Sequence, residues 1–146
     1  MKEKEFIYNF IDNLQISKDK VKIYDRGKPH EIVNIPNESM IIYIFKYNDE
    51  YLKIGKANGK NRNKRPNIYH YNPDSCPSNL AKFILKDKDK FDNNLTKDNI
   101  KEWMINNLQR IDILIDNDLG VLFLNYLESA LHYTYNPKYE GRIDQR

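Results

Sequence analysis

The segment from Lys53 to Arg65 carries Lys53, Lys56, Lys60, Arg62, Lys64 and Arg65 without one acidic residue. Net charge over the whole chain is only +3, but phosphate binding needs a local positive face rather than a large total. A solvated loop would show the same run, so its neighbours carry the weight. Tyr43 lies upstream of Lys53, and an ammonium beside a phenol favours the phenolate by lowering its pKa. Taken alone, Tyr43 is one of 11 tyrosines, and the pair also reads as a strand tyrosine over a snorkelling lysine. Gly55 would let a phosphate or a neighbouring backbone approach closely, or simply turn the chain. His70 could assist proton transfer or hydrogen-bond Tyr43. Glu128 interrupts an apolar stretch, with Leu122-Phe123-Leu124 before it and Ala130-Leu131 after it. A carboxylate against a core-facing stripe needs a partner. One carboxylate completed by waters and substrate oxygens suits Mg²⁺ or Mn²⁺; a buried ion pair to Lys or Arg is the alternative. A group that positions water, a metal ligand and positive charge on the phosphate are what phosphodiester hydrolysis requires.

In chain order these residues run Ile42-Tyr43, Lys53-Ile54-Gly55-Lys56, Arg62, Arg65 and His70, then Leu127-Glu128 ahead of Asn136-Pro137. The pattern resembles the GIY-YIG endonuclease family over roughly residues 40 to 141. Ile41 stands where the family has its first glycine and Lys53 where it has its second tyrosine, so the signature triplets are present as Ile-Tyr and Ile-Gly. The resemblance implies a three-stranded antiparallel sheet flanked by helices and a divalent-metal-dependent endonuclease that leaves a 5′-phosphate and a 3′-hydroxyl. It also implies roles. Tyr43 would be the base or water-positioning group, Lys53 its activator, and Arg65 the transition-state clamp, with Arg62 as the alternative. His70 would support them, Glu128 would hold the metal, and Asn136 would orient the glutamate or contact phosphate. Asn136 has a simpler reading as a turn former before Pro137. Gly55, Lys56, Lys60, Arg62 and Lys64 would face nucleic acid, with DNA expected first and RNA second. A restriction or defence role suits so small a module, and a non-catalytic nucleic-acid-binding protein on the same fold is the alternative.

Such residues need a scaffold. Residues 41–47 and 51–55 read as antiparallel strands joined by a three-residue loop, Asn48-Asp49-Glu50. That loop length puts Tyr43, Phe45, Lys53 and Gly55 on one face and Ile42, Ile44, Leu52 and Ile54 on the other, because side chains alternate with period two. In 110–116, Ile111, Ile113 and Ile115 alternate against Asp112, Leu114 and Asp116, marking a third strand. A half-exposed strand accounts for both aspartates better than a second metal site. A short helix over 66–71 opens with Pro66. Two more follow, one capped by Ser78 with Leu80, Phe83 and Ile84, the other capped by Thr96 with Ile100, Trp103, Met104 and Leu108. Asp118 caps a last helix over 119–133, whose apolar stripe is Leu122, Tyr126, Ala130 and Tyr133. Ahead of these, Phe6, Ile7, Phe10, Ile11 and Leu14 predict an amphipathic helix over 3–15. The runs 21–24 and 31–34 flank a turn-rich Asp25-Arg26-Gly27-Lys28-Pro29 and read as a hairpin. The expected organisation is α+β, with an N-terminal helix-and-hairpin extension over 1–39 and the nuclease-like domain over 40–146.

Composition bounds the rest. With 146 residues, 40% apolar and 12% aromatic, the chain can fill one core,. Its 31% charged residues and mean hydropathy of −0.82 give it a solvated surface. The single cysteine, Cys76, excludes an intramolecular disulfide and suits a reducing cytosol,. No apolar run suggests a signal peptide or a membrane span, so a cytoplasmic protein without membrane contact is expected. No zinc-ligand spacing, P-loop or dinucleotide fingerprint occurs. Without a zinc finger or helix-turn-helix, specificity would come from loops 56–66 and 72–78, from 1–39, or from a partner chain such as a second copy.

Overall fold

Strand β2 (Ser39–Tyr47) is buried along nearly all of its length. Its run Met40-Ile41-Ile42-Tyr43-Ile44-Phe45 demands this, since apolar side chains pointing to both sides of a sheet need cover on both. The computed structural model describes residues 1–139. In it β2 lies inside an antiparallel sheet of order β1-β4-β2-β3, with β1 Val21–Gly27, β3 Glu50–Ala57 and β4 Gln109–Asp116. The architecture is α+β, but the sheet has four strands where three were expected. The fourth is β1. Instead of folding back on 31–34 it pairs along β4, with Ile23 opposite Ile113 and Val21 opposite Ile115. Of the expected hairpin a single bridge forms among the described residues, Gly27 to His30. The distant partner wins because β4 would otherwise leave a row of backbone donors and acceptors unpaired. It also lets Val21 join Ile111, Ile113 and Ile115 in one apolar layer. Residues 1–39 thus add a strand and a helix to the sheet and core of the residues that follow.

The connection between β2 and β3 is tighter than expected. Asn48 and Asp49 both have positive φ (47° and 67°), and Tyr47 faces Glu50, a two-residue turn of the kind that suits strand twist. A bulge restores the parity that this turn would have reversed: Phe45 opposes Lys53 and Lys46 opposes Tyr51, which leaves Leu52 as the extra residue,. Tyr43 opposite Gly55 and Phe45 opposite Lys53 therefore share a face, as the apolar pattern required. Leu52 is the residue that changes side, packing with Tyr43 and Phe45.

Helices cover both faces. On the Tyr43 face, α3 (Leu80–Lys86) and α4 (Ile100–Asn107) supply Leu80, Ala81, Ile84, Ile100 and Met104. On the other, α1 (Lys2–Asn13) and α5 (Gly120–Tyr135) set Ile7, Ile11, Leu124, Leu127 and Leu131 against the isoleucines. Each cap is displaced from its expected position. Asn79, not Ser78, accepts the Lys82 N–H at 2.7 Å; Asn99, not Thr96, precedes α4; and Asp116 caps the turn that enters α5. The stripe Leu122-Tyr126-Ala130-Tyr133 is not the buried one, since Leu122 is 84% and Tyr133 92% exposed. An apolar helix offers two stripes, and the all-leucine one can be buried without leaving a hydroxyl unsatisfied. No helix among the described residues is long and apolar enough to cross a membrane.

Arg110, on β4, is fully buried on the Tyr43 face. Its Nε donates to Asp112 (2.8 Å), its Nη1 to the Pro66 carbonyl and the Tyr71 hydroxyl (both 3.0 Å), and its Nη2 to Asn67 Oδ1 (2.7 Å). Asp112, expected to be half-exposed, is 0% exposed because it also accepts from Arg26 Nε at 3.0 Å. His30 donates from Nδ1 to the Leu108 carbonyl (2.7 Å), which leaves Nε2 to accept from Tyr71 (2.8 Å). This network holds α2 (Lys64–Asn67) and the following turn Tyr69–Tyr71 on the sheet. Asp112→Ala, which strands a buried guanidinium, should cost about 3–5 kcal/mol in urea unfolding. Glu31→Ala, on the exposed surface, should stay within about 0.5 kcal/mol.

Candidate active site

Tyr43 is 1% exposed, and its ring lies flat across Gly55. A Cβ at position 55 would collide with Oη, Cζ and Cε2 of Tyr43. The spacing of Tyr43 to Ile54-Gly55 is thus a packing requirement: the glycine seats the tyrosine.

His70, on the turn Tyr69–Tyr71, is completely buried. Its Nδ1 lies 3.1 Å from the Leu80 N–H, at the start of α3, and accepts from it. A backbone N–H can only donate, so the ring proton sits on Nε2, which donates to the Tyr43 hydroxyl at 2.8 Å,. Burial, reinforced by the charges of Lys53, Arg65 and Arg110, pushes the His70 pKa down to about 3. The expected hydrogen bond between His70 and Tyr43 is present.

Arg65, half-exposed on α2, is the cation Tyr43 feels most. Burial nevertheless dominates and pushes the Tyr43 pKa up to about 12, with Glu128 adding to the rise. The expected depression toward a phenolate is not found, because desolvation outweighs the neighbouring cations. Lys53 is buried opposite Phe45 and donates to the Tyr139 carbonyl at 3.2 Å; its charge is felt at His70.

Glu128 reaches this group from the other helical layer. β3 is the outer strand of the sheet, and His132, one turn beyond Glu128, donates Nε2–H to the Ile54 carbonyl at 2.9 Å. That bond sets α5 along the β3 edge. The Glu128 side chain, 17% exposed, accepts from Lys56 Nζ at 3.2 Å, next to Gly55, and is close enough to influence Tyr43. Of the two partners expected for Glu128, the one in place is a lysine. Tyr43, Arg65, His70 and Glu128 thus come together at one strand edge.

Other expected residues lie elsewhere or are otherwise engaged. Arg62 donates to the Ile35 and Gly59 carbonyls (3.0 Å each) and to Asn37, tying two loops together, whereas the charge of Arg65 acts on Tyr43. Lys60 and Lys64 are exposed. Asn136 is exposed and caps α5 in the left-handed region (φ 44°). It lies about 12 Å along the helix from Glu128. The turn it makes lets Lys138 and Tyr139 donate to the Tyr51 and Leu52 carbonyls on the β3 edge (2.9 Å each). Among the described residues no group of three or more His, Cys, Asp or Glu side chains could share an ion. Asp112 is held by arginines and Asp116 by Lys20. A metal would rest on Glu128 alone, which fits a hydrated Mg²⁺ or Mn²⁺ completed by substrate. Sequence reasoning missed Arg110, Asn67, Tyr71 and His132. The available signals were an arginine at the head of an isoleucine strand and a histidine four residues after the glutamate.

Comparison with protein-family models, curated proteins and solved structures found no match to this chain.

Two outcomes follow from this geometry. Gly55→Ala should unseat Tyr43 and abolish any activity that depends on it, while Glu31→Ala on the exposed surface should not. His70 has a folded pKa far below its unfolded value near 6.5, so the stability this provides is present above pH 6.5 and is lost as pH falls below it,. The unfolding free energy should drop by roughly 2 kcal/mol from His70 alone between pH 7 and 5, and His70→Gln should flatten that slope by about one proton.

Proposed function

We propose that this protein is a cytoplasmic, divalent-metal-dependent endonuclease that hydrolyses DNA phosphodiesters, with a site resembling that of the GIY-YIG enzymes. The observation that carries this reading is the meeting of Tyr43, Arg65, His70 and Glu128 at the Gly55 edge, beside the exposed cations of the 56–65 segment. Tyr43 accepts from His70, so its own O–H is directed away from that ring and is available to orient a water or a phosphate oxygen. With its pKa near 12 it is a phenol at neutral pH, which makes it a positioning group. Lys53 helps keep His70 neutral and so keeps Nε2–H pointed at Tyr43. Arg65 is placed to hold phosphate oxygens as charge develops on them. What Mg²⁺ or Mn²⁺ at Glu128 would supply is a more acidic attacking water and offset of the phosphate charge.

A second reading, a nucleic-acid-binding protein without catalysis, is favoured by Lys56 standing on Glu128 and by the raised pKa of Tyr43. Supercoiled plasmid, single-stranded DNA and RNA incubated side by side with Mg²⁺, Mn²⁺ or EDTA separate the two. Metal-dependent cleavage with 5′-phosphate ends is expected on plasmid, abolished in Glu128→Gln with binding retained. Lys60→Ala should instead weaken binding to all sequences and lower its salt slope by about one phosphate contact. Binding without cleavage on all three substrates would select the second reading, and cleavage confined to RNA would change the substrate.

A further inference from the structure

Lys56 occupies the place where a cation on Glu128 would be expected. Its ammonium is 3.2 Å from the Glu128 carboxylate, with side-chain exposures of 38% and 17%. The pair is partly sheltered, so it is screened less than a surface pair but has not paid the full desolvation cost of a buried one. Lys56 is also part of the 53–65 segment, whose other exposed cations, Lys60 and Lys64, face solvent. A lysine on a flexible four-carbon stem can leave one anion for another without moving the backbone. Its backbone is fixed by strand pairing opposite Ile42, so the exchange would involve the side chain alone.

We infer that Lys56 and the divalent cation compete for Glu128: the ammonium neutralises the carboxylate when no metal is bound, and metal binding releases it toward a substrate phosphate. This rests on Glu128 as the metal ligand of the proposed function. Charge balances at each stage. Before exchange one carboxylate faces one ammonium; afterwards the dication sits on the carboxylate, and the freed ammonium, with Arg65, meets the phosphate anions that arrive with the substrate. By linkage, metal and nucleic acid should each tighten the binding of the other, because metal prepares the lysine and phosphate keeps it off the glutamate.

The test is Mn²⁺ binding to the full chain without nucleic acid, read as loss of the free Mn²⁺ paramagnetic signal. Lys56→Met should bind Mn²⁺ about three- to tenfold more tightly than wild type, with Lys56→Gln behaving alike should the methionine variant fold poorly. Lys56→Arg keeps the charge and should bind like wild type. Lys60→Met removes the same charge from the exposed segment and should change affinity less than about twofold. Adding single-stranded DNA should tighten Mn²⁺ binding in wild type and do so less in Lys56→Met. Unchanged or weaker Mn²⁺ binding in both uncharged variants overturns the competition, as does an equal gain in Lys60→Met, which would mark a general field effect. Glu128→Gln separates the layers of the argument. Mn²⁺ that binds wild type, is lost in Glu128→Gln and is unaffected by Lys56→Met keeps the metal site and rejects only the competition. Mn²⁺ that binds Glu128→Gln as well as wild type, or binds neither the variants nor the wild type even with single-stranded DNA present, rejects both.

Discussion

A guanidinium cannot be deprotonated and cannot be left buried without partners, and Arg110 is 0% exposed,. Meeting its donors fixes the architecture around the site. Asp112 must be beside it on the same strand, Arg26 of β1 must offset the second carboxylate oxygen, and the segment 66–71 must present the Pro66 carbonyl, Asn67 and Tyr71 at set positions. That segment has little regular structure of its own, four residues of α2 and one tight turn. Without the arginine beneath it, nothing in its local sequence would settle where Arg65 and His70 point. Arg110 thus helps to position both side chains, together with the Leu80 N–H on His70 and the bonds of Asn63 and Asn67 to Ile35 and Val33.

From this anchor a chain of directed hydrogen bonds runs outward. The Leu80 N–H fixes the tautomer of His70, the His70 Nε2–H fixes the acceptor role of the Tyr43 oxygen, and Gly55 fixes the ring plane. The low polarity that makes these bonds strong is also what raises the Tyr43 pKa and lowers that of His70,. Both groups are thereby held neutral, and the mobile charges of the site are left to Arg65, Lys56 and Glu128 at the strand edge. Neutral groups lie inside, and charged groups lie at the rim.

Parts of this were legible in the sequence because they depend on neighbours close along the chain. Period-two alternation in β2, β3 and β4 announced the strands, and the Tyr43–Gly55 spacing announced a shared face. Even there the shared face arises through a different connection from the one expected, since a two-residue turn and a bulge at Leu52 give the same parity as a three-residue loop. Apolar periodicity could not say which stripe of α5 is buried, because both satisfy a helical repeat and only the shape of the facing sheet distinguishes them.

The sequence by itself determined which chemistries were available: a phenol across from a glycine, a run of cations without acids, and one carboxylate in an apolar helix. These are properties of residue type and short spacing. Only the tertiary structure decided which of those groups meet. It took Arg62 out of the site by giving its donors to the Ile35 and Gly59 carbonyls, and made Asn136 a helix cap. It turned the 21–27 strand toward β4, and buried Asp112 between two arginines. It also stood Lys56 on Glu128. Each of those outcomes is set by a partner distant in sequence, and by the rule that a buried polar atom must be satisfied by whatever the fold brings to it.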